Sequence, residues 1–308
     1  MELNRRDFLK SSSLLGAASS ALGAKQVLKT GLNAYSFNKL LNDAIRKRAP
    51  GITLEGVLEF AAKNKFDSFD PTGYFFPGYP EVPIDAYVAG LKKRAADLGV
   101  AISGTGVRNN FTTADKDVRR TGIDHIKEWV EVAAKLGAPV IRVFADTQMR
   151  AQTWHTVSNN ESRETVQAYI VEALQECSAH GKQFKVKIGV QNHGDFLQSG
   201  EQLLGLIKAV GSPWCGPIVD TGYFKTPDPY VDIALVAPHA VNWQVKQSVF
   251  GEESEIPTDL VKLVRIALKS GYSGYLPIET LSPKDKPYDP FTVVPAFHAQ
   301  LRQAIAKA

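Results

Sequence analysis

Short strand-like segments alternate with longer amphipathic segments along almost the whole chain, and they do so eight times. The short segments are apolar or alternating runs typical of β-strands, and the longer ones carry apolar residues at helical spacing. Strict alternation of strands and helices favours parallel strands joined by crossover helices. Eight such units predict an α/β fold with one domain, a closed (β/α)8 or TIM barrel.

The strands and helices are predicted at definite positions. The strands are predicted at 29–35, 68–70, 101–105, 140–144, 187–191, 217–220, 241–245 and 275–279. The helices are predicted at 53–63, 84–98, 115–136, 162–183, 202–209, 229–236, 258–269 and 293–306.

An open doubly wound sheet is the competing architecture for this alternation. That fold normally has a glycine-rich phosphate loop directly after its first strand. Here the first strand is followed by Ser36-Phe37-Asn38-Lys39, which contains no glycine. The sequence therefore favours the barrel over the open sheet.

The first residues are typical of an export signal rather than of a folded domain. Arg5 and Arg6 precede Phe8-Leu9-Lys10, and a weakly apolar run of small residues extends from Ser11 to Ala24. This order matches a twin-arginine signal, and the apolar part is too short to span a bilayer. We expect a signal at 1–24, a barrel domain at 25–308, and a periplasmic or other extracytoplasmic location without stable membrane insertion after cleavage.

Composition restricts the classes of partner. The formal net charge is +4, and no cluster of Lys and Arg stands apart from the acidic residues, so no nucleic-acid partner is expected. The two cysteines, Cys177 and Cys215, fall in a helical pattern and at a strand start, which favours two buried free thiols. The sequence leaves formation of a homo-oligomer open.

Four of the later predicted strands end in a polar residue. These residues are Gln191, Asp220, Gln244 and Glu279. Because the carboxyl ends of barrel strands meet at one rim, we expect the four side chains to be neighbours. Two carboxylates and two amides form an oxygen-rich set suited to Mg²⁺ or Mn²⁺, but they also suit a hydrogen-bonding layer around a sugar. Both interpretations stay open at this point.

The motifs Gln191-Asn192-His193, Val219-Asp220-Thr221-Gly222 and Pro277-Ile278-Glu279 resemble those of the xylose-isomerase-like sugar isomerase/epimerase superfamily. The resemblance covers residues 28–306 at the level of strand order. It implies a divalent cation held by a Glu, an Asp, a His and a Glu on the last four strands. Asp220 and Glu279 match this pattern, whereas Gln191 replaces the first Glu and Gln244 replaces the His. A Mn²⁺ or Mg²⁺ ion is therefore expected to be weakly bound, substrate-dependent or absent.

The same resemblance implies proton transfer next to a carbonyl, with Glu279 as the candidate base. Lys246 lies two residues beyond Gln244, on the same face of the strand, and is a candidate acid, electrostatic clamp or, with a depressed pKa, second base. His193 shares a face with Gln191. Tyr223 stands where the epimerases have a His. These are the four candidate catalytic residues.

Aromatic and polar residues concentrate in the loops after the strands, which favours a small carbohydrate as the ligand. The candidate contact residues, besides Gln191 and Gln244, are Asn192, Arg142, Asn109, Tyr74, Trp154 and Trp243. An ion pair between Arg142 and Asp146 is also expected.

Three functional classes remain after these observations. The first is a sugar isomerase or epimerase acting on a sugar or keto-sugar derivative. The alternatives are a lyase or hydratase acting on an oxidised sugar, and a sugar-binding barrel without catalysis. A DNA-repair nuclease is disfavoured because the six histidines are scattered and no basic groove is indicated.

Overall fold

The structure is a computed structural model that describes residues 26–147, 152–282 and 287–308. The expected signal at 1–24 lies outside the described residues. The strands are β1 Leu28–Asn33, β2 Ser68–Asp70, β3 Ala101–Ile102, β4 Thr105–Gly106, β5 Val140–Phe144, β6 Lys187–Gln191, β7 Cys215–Asp220, β8 Asn242–Gln244 and β9 Gly274–Ile278. The helices are α1 Asn38–Ile45, α2 Leu54–Lys63, α3 Asp85–Asp97, α4 Lys116–Leu136, α5 Trp154–Val157, α6 Arg163–Phe184, α7 Gly200–Val210, α8 Pro229–Val236, α9 Leu260–Lys269 and α10 Pro290–Lys307.

All strand pairs are parallel, and they form two curved sheets that meet at both edges. One sheet has the order β3-β2-β1-β9 and the other β4-β5-β6-β7-β8. Parallel bridges between Thr72 and Gly106 and between Val245 and Ile278 connect the two sheets. The predicted single-domain (β/α)8 barrel is confirmed.

The third barrel strand is the one whose prediction differs most from the structure. It was predicted as a continuous strand at 101–105, but it consists of β3, which pairs with β2, and β4, which pairs with β5. Gly104 lies between the two pieces. A Cβ atom there would come within 2.7 Å of Asp70 Oδ2 and 2.8 Å of Asn242 Nδ2, so the missing side chain makes room for a polar pair inside the barrel.

Most predicted helices are found, with small shifts at their first residues. Thr53, Asp115 and Ser162 were predicted as helical, but each is an N-cap whose side chain accepts a hydrogen bond from a backbone N–H of the first turn. Helix α1 and the single turn α5 were not predicted, and both lie between a strand and the next predicted helix.

The apolar core fills the space between the barrel and its helices. Trp129 and Trp243 are the largest of its fully buried side chains. Cys177 and Cys215 are both buried and free, as predicted. Within the described ranges, every helix is too short or too polar to cross a membrane.

Candidate active site at the carboxyl ends of the strands

The predicted strand ends converge on a cavity of about 980 Å³ at the carboxyl-terminal rim of the barrel. Gln191 ends β6, Gln244 ends β8 and Glu279 follows β9, and all three line the cavity. Asp220 ends β7 and is fully buried next to them. The volume falls within the range of small-molecule sites.

Lys246 connects the two carboxylates of this group. Its Nζ lies 2.5 Å from Oε1 of Glu279 and 3.3 Å from Oδ2 of Asp220. Lys246 is only 4% exposed. Buried charges are stable only when paired, and here one ammonium serves two carboxylates. We refer to Lys246, Asp220, Glu279, Gln191 and Gln244 as the lysine cluster.

The two amides of the lysine cluster lie against its carboxylates. Nε2 of Gln191 donates to Oδ2 of Asp220 at 2.5 Å. One end of the Gln244 amide lies 2.8 Å from Nε2 of Gln191, 3.0 Å from Oδ2 of Asp220 and 3.2 Å from Oε2 of Glu279. An oxygen at this end accepts from Gln191, whereas a nitrogen donates to the two carboxylates.

Burial and charge act in opposite directions on the groups of the cluster. Burial raises the pKa of Asp220 to about 7, and the charge of Lys246 opposes that rise. Burial alone would lower the pKa of Lys246, but Asp220 and Glu279 outweigh it, so the pKa of Lys246 is raised. The role of second base required a depressed pKa of Lys246, and the shift is in the opposite direction. The roles of acid and electrostatic clamp are compatible with a permanent ammonium.

His193 and Tyr223 line the cavity beside the lysine cluster. Their rings are stacked with centroids 4.5 Å apart. Burial lowers the pKa of His193 to about 3, and the charge of Lys246 contributes to the shift, so the imidazole is neutral. The hydroxyl of Tyr223 donates to the carboxylate of Glu252, another cavity residue. Both side chains are uncharged, so they can contact a ligand through hydrogen bonds and through their aromatic edges.

Arg142, on β5, lines the cavity and is 6% exposed. Its Nη1 donates to the carbonyl of Val107 at 3.0 Å, and its Nη2 donates to the hydroxyl of Tyr74 at 2.5 Å. In the described parts of the chain, no carboxylate lies within ion-pairing distance of this guanidinium. Arg142 therefore presents a buried positive charge to the cavity without an acidic partner.

The expected ion pair between Arg142 and Asp146 is wrong. The carboxylate of Asp146 accepts instead from the backbone N–H groups of His193, Asp195 and Leu197 at 3.0–3.1 Å, and from that of Phe196. Asp146 lies beyond the end of β5 and faces the loop after β6, whereas Arg142 faces into the barrel. Its carboxylate orders the loop that carries His193.

Two predicted contact residues, Asn109 and Asn192, bond to backbone rather than to the cavity. The amide of Asn109 bonds both backbone groups of Phe144, at 2.7 and 2.8 Å. The amide of Asn192 bonds both backbone groups of Asp220, at 2.9 and 3.0 Å. Neither lines the cavity, and both fix the positions of strand ends that do.

The two predicted tryptophans also lie outside the cavity lining. Trp243 is fully buried and packs near Tyr272, with ring centroids 5.7 Å apart. Its neighbour Gln244 faces the barrel interior, so Trp243 must face the helices. Trp154 is 7% exposed and stacks on His155 in the loop after β5.

Several cavity residues were not predicted. Asn33 ends β1 and Thr72 lies two residues after β2, and Thr72 Oγ1 donates to Asn33 Oδ1 at 3.1 Å. The polar residue at a strand end, the signal used for Gln191, also marks Asn33. The other residues that line the cavity without having been predicted are Tyr35, Asn38, Phe144, Thr147, Gln152, Glu252, Glu253, Leu281 and Ser282.

Asp70 and Asn242 form a second polar pair inside the barrel. Nδ2 of Asn242 donates to Oδ2 of Asp70 at 3.3 Å. Burial raises the pKa of Asp70 to about 7, although the charge of Arg142 opposes the rise. A substantial fraction of Asp70 is therefore protonated at neutral pH.

The lysine cluster does not fit a divalent cation. The four side chains that the resemblance assigns to a cation do converge, but Gln191 directs a nitrogen toward Asp220, and the Lys246 ammonium bridges the two carboxylates. Across the described ranges, no group of three or more His, Cys, Asp or Glu side chains is arranged to hold an ion. Cation sites require several unprotonated oxygens facing one point, and the ammonium occupies that point in this cluster.

Residues 58–300 match the family described as Xylose isomerase-like TIM barrel, and the chain belongs to this family. The match covers most of the barrel, including every residue of the lysine cluster. Among curated proteins, none matches the chain.

Solved structures with the same fold include sugar epimerases. An L-ribulose 3-epimerase superposes with a TM-score of 0.72 and 16% identity, over 91% of this chain and 95% of that one. A D-psicose 3-epimerase from Clostridium cellulolyticum H10, with D-tagatose, has a TM-score of 0.71 and 13% identity, over 90% and 99% of the two chains. The IolI protein with a zinc atom has a TM-score of 0.70 and 14% identity, over 91% and 98%. At these identities the similarity establishes the fold.

Proposed function

We propose that the chain is a sugar isomerase/epimerase-type enzyme that moves a proton next to the carbonyl of a sugar or keto-sugar derivative. The observation that carries the proposal is one carboxylate, Glu279, that lines the cavity beside a buried ammonium, Lys246, 2.5 Å away. Proton abstraction next to a carbonyl needs a base at the carbon and positive charge at the oxygen. The family and the epimerases among the similar structures support the same class of reaction.

In the proposed reaction, Glu279 removes the proton from the carbon next to the carbonyl. The electron pair of that C–H bond moves to the carbonyl oxygen and forms an enolate. The Lys246 ammonium stabilises the negative oxygen, and that oxygen takes the proton of the hydroxyl on the neighbouring carbon. Glu279 then returns its proton to the former carbonyl carbon, so the carbonyl moves by one carbon. Gln191 and Gln244 hold Asp220 and Glu279 in position, and His193, Tyr223, Tyr74 and Arg142 contact sugar oxygens.

Within the lysine cluster, only one carboxylate can reach a substrate. Asp220 is fully buried, so Glu279 must both remove and return the proton. A single base works on one face of the enolate, which suits transfer between neighbouring carbons of an aldose and a ketose. Inversion at one carbon needs proton delivery to the opposite face. We therefore favour isomerisation over epimerisation within the proposed class.

A lyase acting on an oxidised sugar is the second candidate, and Arg142 is the observation that favours it. A buried guanidinium without an acidic partner is costly, and a substrate carboxylate would supply that partner. Elimination from a sugar acid also requires only one base, which Glu279 provides.

Incubation with neutral ketoses, keto-sugars and sugar acids in deuterated water separates these functions. Deuterium exchange at carbon with transfer to the neighbouring carbon supports the isomerase. Loss of water from a sugar acid supports the lyase. Binding of a sugar without exchange or elimination across the panel would contradict an enzymatic function and support a sugar-binding barrel.

We also propose export through the twin-arginine route, on the basis of Arg5, Arg6 and the small-residue run that ends near Ala24. Expression of the full chain in a bacterium, followed by fractionation and N-terminal sequencing, tests this location. Replacement of both arginines by lysine should retain the uncleaved chain in the cytoplasm. A cleaved, exported product from that variant would contradict the assignment.

A further inference from the structure

Three of the four carboxylate oxygens in the lysine cluster already have a hydrogen-bond donor. Oδ1 of Asp220 accepts from the backbone N–H of Gly222 at 3.0 Å, and its Oδ2 accepts from Gln191 and lies 3.3 Å from Lys246 Nζ. Oε1 of Glu279 accepts from Lys246. Oε2 of Glu279 lies 3.2 Å from the amide of Gln244. The Lys246 ammonium and the Gln191 amide therefore occupy the space between the two carboxylates in which a cation would have to bind.

The barrel is built to hold Lys246 in this position. Its backbone N–H donates to Oγ1 of Thr221 at 2.9 Å, and its carbonyl accepts from Oγ1 of Thr258 at 2.8 Å. A Cβ atom at Gly222 would come within 2.8 Å of Lys246 Cγ, so the glycine leaves space for the lysine stem. These contacts distinguish Lys246 from a solvated lysine at a strand end.

The charge of the cluster also argues against a divalent ion. Asp220 and Glu279 together carry two negative charges when ionised, and Lys246 neutralises one of them inside the protein. An entering divalent ion would meet a fixed ammonium a few ångströms away and would have to break its two ion pairs.

We propose that the ammonium of Lys246 is the permanent cation of this site and that the enzyme binds no divalent metal there. The lysine supplies the positive charge that polarises a substrate oxygen, and the Gln191 amide supplies a hydrogen bond that holds Asp220. The catalytic half of this statement rests on the proposed function. The prediction about metal binding does not, so the two can fail separately.

Metal binding by the full chain, purified without chelators, tests the proposal directly. We expect elemental analysis to find no stoichiometric Mn, Mg, Zn or Fe, and calorimetric titration with MnCl₂ to show no saturable site. The Lys246→Met variant exposes the two carboxylates to a cation, so Mn²⁺ should bind it at least about tenfold more tightly than the wild type. Mn²⁺ should also raise the melting temperature of this variant and leave that of the wild type unchanged.

Lys225→Met is the matched control, because Lys225 is an exposed lysine that lies near Tyr223 but outside the lysine cluster. It removes the same charge and should bind Mn²⁺ no better than the wild type. If Lys246→Met does not fold, Gln191→Glu adds a third carboxylate and should gain Mn²⁺ binding by the same logic. Stoichiometric metal in the wild type, released by a chelator with a fall in melting temperature, would overturn the proposal. Equal Mn²⁺ affinity of the wild type and a folded Lys246→Met would also overturn it.

Discussion

The cavity has a buried cationic side chain on each of two sides, and only one of the two is paired with carboxylates. On the β7–β9 side, the lysine cluster surrounds one ammonium with two carboxylates and two amides. On the β2–β5 side, the guanidinium of Arg142 donates to a carbonyl and to the hydroxyl of Tyr74 and lies over the ring of Phe144. The ammonium has its acidic partners without a ligand, whereas the guanidinium gains an acidic partner only when a ligand supplies one. We therefore assign proton transfer to the β7–β9 side and substrate recognition to the β2–β5 side.

The strongest test of this division is Glu279→Gln. Glutamine keeps the shape of the side chain but cannot accept a proton, so turnover should fall by about 10²- to 10⁴-fold. The free energy of unfolding should change little, because Lys246 keeps Asp220 as a partner. Steady-state kinetics and urea unfolding measure the two effects. Glu128→Gln, on the exposed face of α4, is the control and should retain normal activity.

Removing the two positive charges should have unequal effects on stability. Lys246→Met leaves two buried carboxylates without a counter-charge and should cost about 3 kcal/mol of unfolding free energy. Arg142→Met removes a charge that had no acidic partner and should cost about 1 kcal/mol or less. Urea unfolding of both variants checks the comparison. Equal losses would mean that Arg142 is as fully paired as Lys246.

A pH series on Asp70→Asn tests the electrostatics on the Arg142 side. Burial raises the pKa of Asp70 from its usual value of 3.8 to about 7. The contribution of this group to the free energy of unfolding is therefore complete below about pH 3.8 and is lost as the pH rises through 7. Between about pH 5 and pH 8 the wild type should lose on the order of 2 kcal/mol that the variant retains. If both proteins respond equally to pH, Arg142 holds Asp70 ionised and the two form a pair.

The cavity residues that the sequence predicted correctly are those whose placement depends only on strand geometry. Polar residues at strand ends identified Gln191, Gln244 and Glu279, and the two-residue spacing placed Lys246 on the same face as Gln244. The same alternation rules out Trp243, since it directly precedes Gln244. Aromatic character was therefore a weaker guide to the cavity than strand alternation.

Side-chain partners could not be read from the sequence, because they join residues far apart in the chain. Asp146 is four residues from Arg142, but its carboxylate bonds backbone N–H groups about fifty residues away. The raised pKa of Lys246 depends on Asp220 and Glu279, which only the closed barrel brings together. Spacing along a strand predicts the face on which a side chain lies. The partner of that side chain depends on which distant residues the fold brings to the same face.

The smallest effect should come from Tyr74→Phe, which removes the hydroxyl that accepts from Arg142. Burial raises the pKa of Tyr74 to about 12, so this hydroxyl is neutral and its loss should cost about 1 kcal/mol of stability. The freed Nη2 of Arg142 turns to the substrate, so KM should change only a few-fold while kcat stays near the wild-type value. Tyr35→Phe is the control, because in the described chain its hydroxyl has no hydrogen bond although it lines the same cavity. A loss from Tyr74→Phe as large as that from Lys246→Met would show that the Arg142 side is also a closed network, and that recognition must lie elsewhere in the cavity.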